Sequence, residues 1–568
     1  MLATAALTLG FTGLGLDATA QAAQAQQGTQ NGPTPATPPA TVNWQPCPQY
    51  SDAVLDYLRI RPQDYAGFRA IWARTECGTV SVPLDYRHPD GQHITIAFTR
   101  LKALDQAHRL GSLAMNPGGP GGSGYLMPGT LVLESSTDAQ LNQRYDLIGF
   151  DPRGVGYSTS YDCPQSASSA PVTPPVGQWT EAELKQLYDA QVQQDAACSS
   201  SNPAFLSQLT TANVARDLDQ IRRALHEKQM NYFGASWGTQ LGAVYRSMFP
   251  ATIGRMWLDS VVSPNAHDLA YRFDYASKTT EQDFGLFAQW LAARDATYGL
   301  GATAAQVRAT VLGLREAADA HPWQFSDLSM PLDGSFISFA ASAPNVDWDL
   351  AGRILQSMTT AVNGGPAPQP VTVVVGSPST STPPPAAAPA QFNNTAGQAY
   401  LCNEDTSSRA FGSWWAEYQR NLRANPVTGD LTALRPTCAG WTLPVQTFQL
   451  RRSSGPLEMS GHRYETTTPY PWVWQMQDAI GGDVFTVNDF IHGSVAFVPE
   501  CAAHLVTYFD TGSPGQTSCQ GIQPGSASAA AAQATIASAA SASMSAATSA
   551  SSAISAISGA SSLSWPNS

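Results

Sequence analysis

The segment Gly234-Ala-Ser-Trp-Gly238 restricts the possible folds of this chain more than any other feature. A largely apolar run, Met230–Phe233, precedes it, and apolar side chains at helical spacing follow it at Leu241, Val244, Tyr245 and Met248. A strand, a tight turn and an amphipathic helix in this order are typical of a nucleophile elbow, whose strained backbone projects a serine hydroxyl clear of a sheet. We therefore predict that Ser236 is a nucleophile.

A second glycine-rich segment, Asn116-Pro-Gly-Gly-Pro-Gly-Gly-Ser-Gly124, follows the predicted strand Gly111–Met115. Acyl transfer to a serine requires N–H groups that bind the oxyanion. The N–H of Trp237 is one natural donor, and the glycines free the loop to supply another from Gly118 or Gly119. A phosphate loop is the alternative, but the segment lacks the Lys-Ser/Thr ending of a P-loop and does not open a dinucleotide-binding unit. We predict an oxyanion hole.

The general base is predicted from chain order, because the acid and then the histidine follow the serine in folds with this elbow. Of the nine histidines, only His492 and His504 lie beyond the candidate acid. His492 follows the predicted strand Val484–Asn488, in a loop that can reach back over the sheet. His504 lies in the predicted helix Ala502–Phe509, where a partly buried structural histidine is the better interpretation. We predict that His492 is the base.

The carboxylate that orients this base is predicted to be Glu465, which follows the penultimate core strand in Arg463-Tyr-Glu-Thr-Thr-Thr-Pro469. Glutamate can replace aspartate here because only a carboxylate that accepts from Nδ1–H is required. Asp483 and Asp489 are rivals, and an ordinary surface carboxylate is the alternative interpretation of all three.

Short strands and helices alternate over residues 42–265, which is typical of an α/β sheet. Residues 266–440 are mostly helical and rich in Trp and Ala, and residues 441–522 resume the strand pattern. This order predicts an α/β-hydrolase core with a mostly helical cap inserted into it, and the Pro-rich stretch 364–390 of the cap is predicted to be mobile. The predicted core strands, besides those above, are Gly78–Val82, His93–Leu101, Tyr145–Phe150, Arg255–Asp259 and Gly455–Ser460, and an amphipathic helix is predicted at Thr211–His226.

Both ends of the chain differ in composition from this core. Residues 1–25 are apolar and small with overlapping A-x-A sites, which favours a secretory signal peptide over a disordered Ala-rich leader. Residues 26–41 form a Gln/Pro/Thr-rich linker and residues 523–568 an Ala/Ser-rich tail, and both are predicted to be disordered. No apolar run reaches the roughly 20 residues that span a bilayer.

The net charge and the cysteines restrict the possible binding partners of the protein and the cellular compartment in which it folds. The net charge of −13 leaves no basic stripe for nucleic acid. Eight cysteines without a C-x-x-C motif indicate an oxidising compartment rather than a zinc site, with reduced buried thiols in a cytosolic enzyme as the alternative. We expect an exported protein, either secreted or at the periplasm or cell surface. Pairing of nearest neighbours predicts Cys47–Cys77, Cys163–Cys198, Cys402–Cys438 and Cys501–Cys519.

With these motifs assembled, the chain resembles the secreted tripeptidyl-aminopeptidase-like branch of the prolyl-iminopeptidase family of α/β-hydrolases over about residues 44–521. The oxyanion loop of the family corresponds to Asn116–Gly124 of this chain. The family's turn after the next strand corresponds to Gly149-Phe-Asp-Pro-Arg-Gly-Val-Gly-Tyr-Ser158. The family's nucleophile elbow corresponds to Gly234–Gly238, and its following strand corresponds to Leu258-Asp-Ser-Val-Val262. Cys501 and Cys519 resemble the family's terminal domain. This resemblance implies cleavage of short peptides from a free N-terminus by serine chemistry, without a metal or an organic cofactor.

The chain departs from the family at three places. Glu465-Thr-Thr-Thr-Pro469 stands where a D-x-x-T-P pattern is usual, and Asn116-Pro117 precedes the glycines where relatives often have a histidine. The Pro-rich stretch and the Ala/Ser tail are not family features. The resemblance also implies a carboxylate in the cap that binds the substrate amine, and Cys402-Asn-Glu-Asp405 suggests Glu404 and Asp405, although a solvated acidic loop explains that segment equally well.

The sequence supports more than one interpretation of several other residues and of the activity. Arg153 is predicted to pair with an aspartate beneath the site rather than to bind substrate. Trp414, Trp415, Trp472 and Trp474 can line a hydrophobic substrate cleft, although each alone is more typical of packing. The same triad serves carboxylic esters, and a catalytically silent binding or surface protein is a third possibility. The sequence leaves the oligomeric state open.

Overall fold

The computed structural model describes residues 28–29, 40–164, 179–375, 384–432 and 437–522. The predicted signal peptide (1–25) and the predicted Ala/Ser tail (523–568) lie outside these ranges, as does the predicted linker (26–41) except for residues 28–29 and 40–41. Within them, the chain forms a large mixed sheet with helices on both faces and a helical region inserted between two of its strands.

The ten-stranded sheet has the order β12-β11-β10-β8-β7-β5-β6-β4-β3-β2. Its strands from β12 to β6 are parallel, and β4, β3 and β2 continue it with antiparallel pairings. A separate parallel pair joins β1 to β9. The strands are β1 Gly28–Thr29, β2 Asn43–Gln45, β3 Thr75–Pro83, β4 His93–Leu101, β5 Gly111–Asn116, β6 Tyr145–Phe150, β7 Met230–Ala235, β8 Ile253–Asp259, β9 Gln446–Thr447, β10 Leu457–His462, β11 Asp483–Val487 and β12 Ser518–Cys519.

Both faces of the sheet are buried, and the side chains of its central strands alternate between two apolar cores. Ala114 and Tyr232 face the core formed with the two helices that flank the elbow strand. Leu113 and Phe233 face the opposite core, which the C-terminal helix completes. Period-two alternation with apolar residues on both sides explains why these strands read as continuous hydrophobic runs.

The helices are mainly found on the two faces of the sheet and in the inserted region. They are α1 Asp52–Tyr57, α2 Tyr65–Trp72, α3 Met127–Glu134, α4 Leu141–Arg144, α5 Glu181–Ser201, α6 Pro203–Leu206, α7 Thr211–Ala224, α8 Trp237–Met248, α9 Leu269–Ala292, α10 Asp295–Tyr298, α11 Ala304–Ala320, α12 Gly334–Ala341, α13 Trp348–Met358, α14 Gln369–Val374, α15 Asn394–Cys402, α16 Phe411–Ala424, α17 Gly429–Thr432, α18 Pro471–Ile480 and α19 Pro499–Thr511.

The inserted region between β8 and β9 contains α9 to α17 and has an apolar core of its own, which includes Phe284, Phe287 and Ile354. The stretch 364–390, predicted to be mobile, contributes to this core, because α14 buries Val371 and Val374. Residues 376–383 of that stretch lie outside the described ranges. A run of apolar valines therefore orders part of a segment whose prolines suggest a linker.

Two element boundaries differ from the sequence prediction in ways that matter for the site. The strand predicted at Gly455–Ser460 is β10, Leu457–His462, so His462 rather than Ser460 stands at its carboxyl end. The predicted helix Ala502–Phe509 begins at Pro499, because proline is readily accommodated in the first turn of a helix.

Four disulfides join Cys47 to Cys77, Cys163 to Cys198, Cys402 to Cys438 and Cys501 to Cys519, which are the pairs of sequential neighbours. Such bonds stabilise a fold by about 2–4 kcal/mol each, mainly by restricting the unfolded chain. None of the helices in the described ranges combines the length and hydropathy that crossing a membrane requires.

Candidate active site

Ser236 lies between the carboxyl end of β7 and the first residue of α8. Its backbone has φ 57° and ψ −127°, a region that a residue with a Cβ seldom adopts. The Ser236 N–H donates to the Asp259 carbonyl at 3.0 Å, and the Thr239 hydroxyl donates to the Ser236 carbonyl at 2.7 Å. A Cβ on Gly234 would lie 2.5 Å from the Gly238 carbonyl oxygen, so the elbow requires a glycine there. The surrounding structure thus holds the strained serine in place.

Glu465 and His492 meet at the same edge of the sheet. Glu465 follows β10 and His492 follows β11, and because β11, β10, β8 and β7 are successive parallel strands, their carboxyl ends lie at one edge. Nδ1 of His492 is in close hydrogen-bond contact with Oε1 of Glu465. The two loops are also tied through Ser260, whose hydroxyl donates to Glu465 Oε2 at 2.9 Å and accepts from Gly493 N–H at 2.8 Å.

The Glu465 carboxylate is buried and fully engaged. Thr468 donates to its Oε1 from both the backbone N–H, at 2.9 Å, and the hydroxyl, at 2.6 Å. Burial raises the pKa of Glu465, but the charge and hydrogen bond of His492 outweigh burial, so this pKa lies below its ordinary value. The carboxylate is therefore ionised at neutral pH and suited to orient an imidazole.

The other candidates for the acid and the base do not contact the Glu465–His492 pair. Asp489 accepts from His462 at 2.7 Å rather than from His492. Asp483 is exposed at the start of β11. The His504 ring contacts the Pro514 carbonyl oxygen at 2.9 Å.

The loop predicted to form the oxyanion hole lies against the elbow. A Cβ on Gly118, which has φ 101°, would lie 2.8 Å from the Ser236 Cβ and 3.0 Å from the Trp237 nitrogen. The Gly118 N–H donates to the Asn116 side-chain oxygen at 3.0 Å. Of the three predicted donors, Gly118 is thus already occupied, and the N–H groups of Gly119 and Trp237 remain candidates for binding an oxyanion.

Arg153 lies fully buried beneath the site. Its guanidinium makes a bidentate pair with Asp217 of α7, at 2.7 Å for each of the two contacts. The Tyr400 hydroxyl donates to the Arg153 carbonyl at 2.6 Å, and the Tyr400 ring packs against Trp237 beside the elbow. These contacts support the structural interpretation of Arg153.

Glu404 and Asp405 point into different surroundings. Glu404 accepts from the Thr211 N–H at 2.6 Å, and also from the Thr211 hydroxyl and the Gln240 amide, each at 2.9 Å. Burial raises its pKa to about 8. Asp405 accepts through Oδ1 from the backbone N–H groups of Leu269 and Ser407 at 3.2 and 2.9 Å. Asp405 also lines a cavity, whereas the Glu404 carboxylate is enclosed by α7 and α8.

This cavity lies between α5, α9 and α16 and has aromatic walls formed by Tyr188, Phe273 and Trp414. Glu417 faces it together with Asp405, and burial raises the pKa of Glu417 to about 7. Burial also raises the pKa of Asp405. Arg409 also lines the cavity, but its guanidinium donates to the Trp441 and Cys402 carbonyls, and the two carboxylates within aromatic walls form a suitable environment for an organic cation.

The four tryptophans considered for a substrate cleft separate into different environments. Trp414 lines the cavity between α5, α9 and α16. Trp415 packs on Tyr418. Trp472 is fully buried, and Trp474 is exposed beside Tyr470.

Asp259 and His462 were not singled out from the sequence. The His462 ring lies between Asp259, at 2.9 Å, and Asp489, at 2.7 Å, directly behind the loop that carries His492. The available signal was an aspartate at the end of the predicted strand Arg255–Asp259 and a histidine two residues after the predicted strand Gly455–Ser460. Their proximity depends on β10 lying between β8 and β11, which the sequence does not reveal.

The sheet order, the elbow and the Glu–His pair at one edge define the class, a serine hydrolase with the α/β-hydrolase fold. The family model of the alpha/beta hydrolase fold matches residues 112–356. The chain is 33% identical over 454 residues to the tripeptidyl aminopeptidase of Streptomyces coelicolor, covering 77% of this chain and 81% of that protein. It therefore belongs to the tripeptidyl-aminopeptidase-like family of α/β-hydrolases.

Two further relatives share shorter segments. The serine protease Hip1 of Mycobacterium tuberculosis is 36% identical over 193 residues, or 34% of this chain and 36% of that protein. Carboxylesterase B of the same organism is 39% identical over 153 residues, or 26% of this chain and 28% of that protein. These two relatives are thus named as a protease and as a carboxylesterase.

Proposed function

We propose that this protein is an exported serine exopeptidase that releases di- or tripeptides from free N-termini. The observation that carries the proposal is the contact between Glu465 and His492 at the sheet edge where the strained Ser236 stands. Membership of the tripeptidyl-aminopeptidase-like family supports peptide as the substrate class. The four disulfides and the apolar leader support export.

In the proposed reaction, the Ser236 hydroxyl oxygen attacks the carbonyl carbon of the scissile peptide bond and His492 takes the hydroxyl proton. Glu465 holds Nδ1 of His492, so that Nε2 is the nitrogen available to the serine. The N–H groups of Gly119 and Trp237 bind the developing oxyanion. His492 then donates its proton to the departing amine, which leaves an acyl-enzyme on Ser236. Water then attacks the acyl carbon as His492 takes one of its protons, the bond to the Ser236 oxygen breaks, and His492 returns the proton to that oxygen.

We infer that the 402–405 segment supplies the anionic subsite for the substrate amine. An α-ammonium group has a pKa near 8 and requires a carboxylate partner when it is buried. Asp405 keeps one oxygen outside its two backbone contacts and faces the aromatic cavity, which supports direct contact with the amine. The contacts of Glu404 support a positioning role between α7 and α8.

A three-substrate comparison tests this function. The purified protein is assayed with a free-amine tripeptide p-nitroanilide, its N-acetylated counterpart and a short-chain p-nitrophenyl ester, with Ser236→Ala as the blank. Preference for the free amine by at least 100-fold in kcat/KM over the acetylated peptide supports an exopeptidase. Equal cleavage of the two peptides contradicts recognition of a free N-terminus.

A carboxylic-ester hydrolase is the second candidate, because the partial match to carboxylesterase B covers an ester-cleaving relative and the same triad serves both reactions. Rapid cleavage of the ester with no release of p-nitroaniline from either peptide would assign the protein to this class. The absence of all three activities would leave a silent binding protein.

A further inference from the structure

A fully buried cluster of three titratable side chains joins the carboxyl ends of three neighbouring strands. His462 ends β10, Asp259 ends β8, and Asp489 stands just after β11. Each of these side chains is shielded from solvent. Because β10 lies between β8 and β11, the imidazole of His462 is placed between the two carboxylates.

The hydrogen bonds of this cluster require a cationic histidine. Nδ1 of His462 lies 2.7 Å from Asp489 Oδ1, and Nε2 lies 2.9 Å from Asp259 Oδ1. A neutral imidazole has only one N–H and would turn a lone pair toward one carboxylate. Burial alone lowers the pKa of His462, but the two carboxylates outweigh burial and hold this pKa well above its ordinary value.

The two aspartates hold both sides of the loop that contains His492. Asp489 accepts from the Ile491 N–H at 3.3 Å and from the Ser494 hydroxyl at 2.7 Å. Asp259 accepts from the Val495 N–H at 3.3 Å. A shift of either carboxylate therefore moves the backbone that carries the proposed base.

The same cluster contacts the backbone at the other two members of the proposed triad. The Glu465 N–H donates to the His462 carbonyl at 3.3 Å, and the Ser236 N–H donates to the Asp259 carbonyl at 3.0 Å. The positive charge of His462 also favours the ionised form of Glu465. The ionisable side chains that surround His462 are thus Asp259, Asp489 and Glu465.

We propose that His462 is a positioning residue, a doubly hydrogen-bonded cation that holds the two aspartates and thereby fixes the three segments bearing the proposed triad. The inference rests on the proposed function, because it assigns His462 a role in placing that site. A positioning role lowers turnover while leaving the cap, and hence substrate affinity, unchanged.

The test replaces the cation with a neutral side chain of similar reach, His462→Gln, and measures the free-amine tripeptide p-nitroanilide. We expect kcat to fall about 10- to 100-fold with KM changed less than about threefold. Labelling of Ser236 by a fluorophosphonate slows in parallel. The acidic limb of the kcat/KM profile moves up by roughly half a pH unit to one unit, because the ionised Glu465 loses a nearby positive charge.

The matched control is His504→Gln, which removes a part-buried imidazole that packs on Phe485 in the middle of β11, away from the carboxyl ends of the strands. It is expected to leave kcat and the pH profile unchanged. A rescue variant adds Asp489→Asn to His462→Gln, because two amides can donate and accept in turn. Recovery of at least threefold in kcat over the single variant is the expected coupling.

Wild-type kcat and pH profile in folded His462→Gln overturn the proposal. The proposal is also overturned if His462→Gln and His504→Gln each lose activity only in proportion to the fraction of the variant that is unfolded. If His462→Gln does not fold, Asp489→Asn alone is expected to lower kcat about tenfold at constant KM, and normal turnover or a second failure to fold overturns the proposal. Ser236→Ala separates the two hypotheses, since activity in that variant contradicts the proposed function itself.

Discussion

The carboxyl edge of the sheet and the inserted region differ in where the carboxylates of the candidate site lie. At the sheet edge, buried charged groups such as Glu465, His462 and Asp259 are held by hydrogen bonds from neighbouring strands and loops. The core of the inserted region is apolar, with Phe287 packed on Trp348. Two carboxylates of that region, Asp405 and Glu417, line the cavity beside Trp414, whereas Glu281 is buried and accepts from the Thr428 N–H at 3.0 Å.

This difference separates two requirements of the proposed enzyme. A reaction that transfers protons needs fixed distances, and parallel strands with short connections to their neighbours supply them. Selection of a substrate needs a surface that can vary between relatives, and helices packed through an apolar core leave their outward side chains free to change. Substitutions at the sheet edge are therefore expected to change kcat, and substitutions around the cavity to change KM.

The largest effect is expected for Ser236→Ala. Loss of the attacking oxygen lowers kcat by about 10⁴-fold or more, with the remaining turnover due to the oxyanion donors and binding. Because the hydroxyl contributes no apolar packing, the midpoint of thermal unfolding stays within a few degrees of wild type. Retention of more than a tenth of the wild-type rate would contradict the assignment.

Glu465→Gln is expected to lower kcat by roughly 10³-fold, because an amide no longer fixes the productive tautomer of His492. The substitution keeps the size of the side chain, so KM changes little. Asp483→Asn is the matched control, because Asp483 is an exposed carboxylate that the sequence also offered as a candidate acid. Its kcat should equal that of the wild type. A mild effect of Glu465→Gln together with a severe effect of Asp483→Asn would show that the acid of the triad is not Glu465.

The sequence was sufficient to predict the parts of the site that depend on local pattern and chain order. The elbow at Ser236 is encoded within a few residues, and Glu465 and His492 follow from the order of the triad along the chain. The family relationship and the α/β-hydrolase fold are confirmed by the comparisons with known proteins. These features need no knowledge of which strands are neighbours.

Features that depend on distant contacts could not be predicted. The partner of Arg153 is Asp217, on a helix 64 residues further along the chain. The cation between Asp259 and Asp489 requires the crossover order of β8, β10 and β11. The difference between Glu404 and Asp405 is set by Thr211 and Gln240, which approach one carboxylate and not the other.

In the inserted region, Asp405→Asn is expected to raise KM for the free-amine tripeptide by 10- to 100-fold, equivalent to about 1.4–2.8 kcal/mol. Asparagine retains the oxygen that accepts from Leu269 and Ser407, so the local fold is preserved. Cleavage of the ester stays nearly unchanged. Equal effects on amine-bearing and amine-blocked substrates would show that Asp405 only supports the fold.

The neighbouring variant Glu404→Gln sharpens the same comparison. Its amide would face the donors of Thr211 and Gln240, so a lower unfolding midpoint and a similar loss of activity on every substrate are expected. A selective loss for free-amine peptides would instead give Glu404 a direct part in binding the amine.

The smallest expected effect is a pH dependence of substrate affinity that originates at Glu417. Burial raises the pKa of this carboxyl to about 7, so it is mostly neutral at pH 6 and mostly ionised at pH 8. An ionised carboxylate in the cavity attracts the ammonium group of the substrate. KM for the free-amine peptide should therefore fall by a few-fold as the pH rises from 6 to 7.5, before the substrate amine itself loses its proton near pH 8. Glu417→Gln is expected to remove this trend, whereas Glu316→Gln, at an exposed glutamate of α11, should keep it. A trend that persists unchanged in Glu417→Gln would show that this carboxylate is not its origin and would contradict a role of Glu417 in binding the substrate amine.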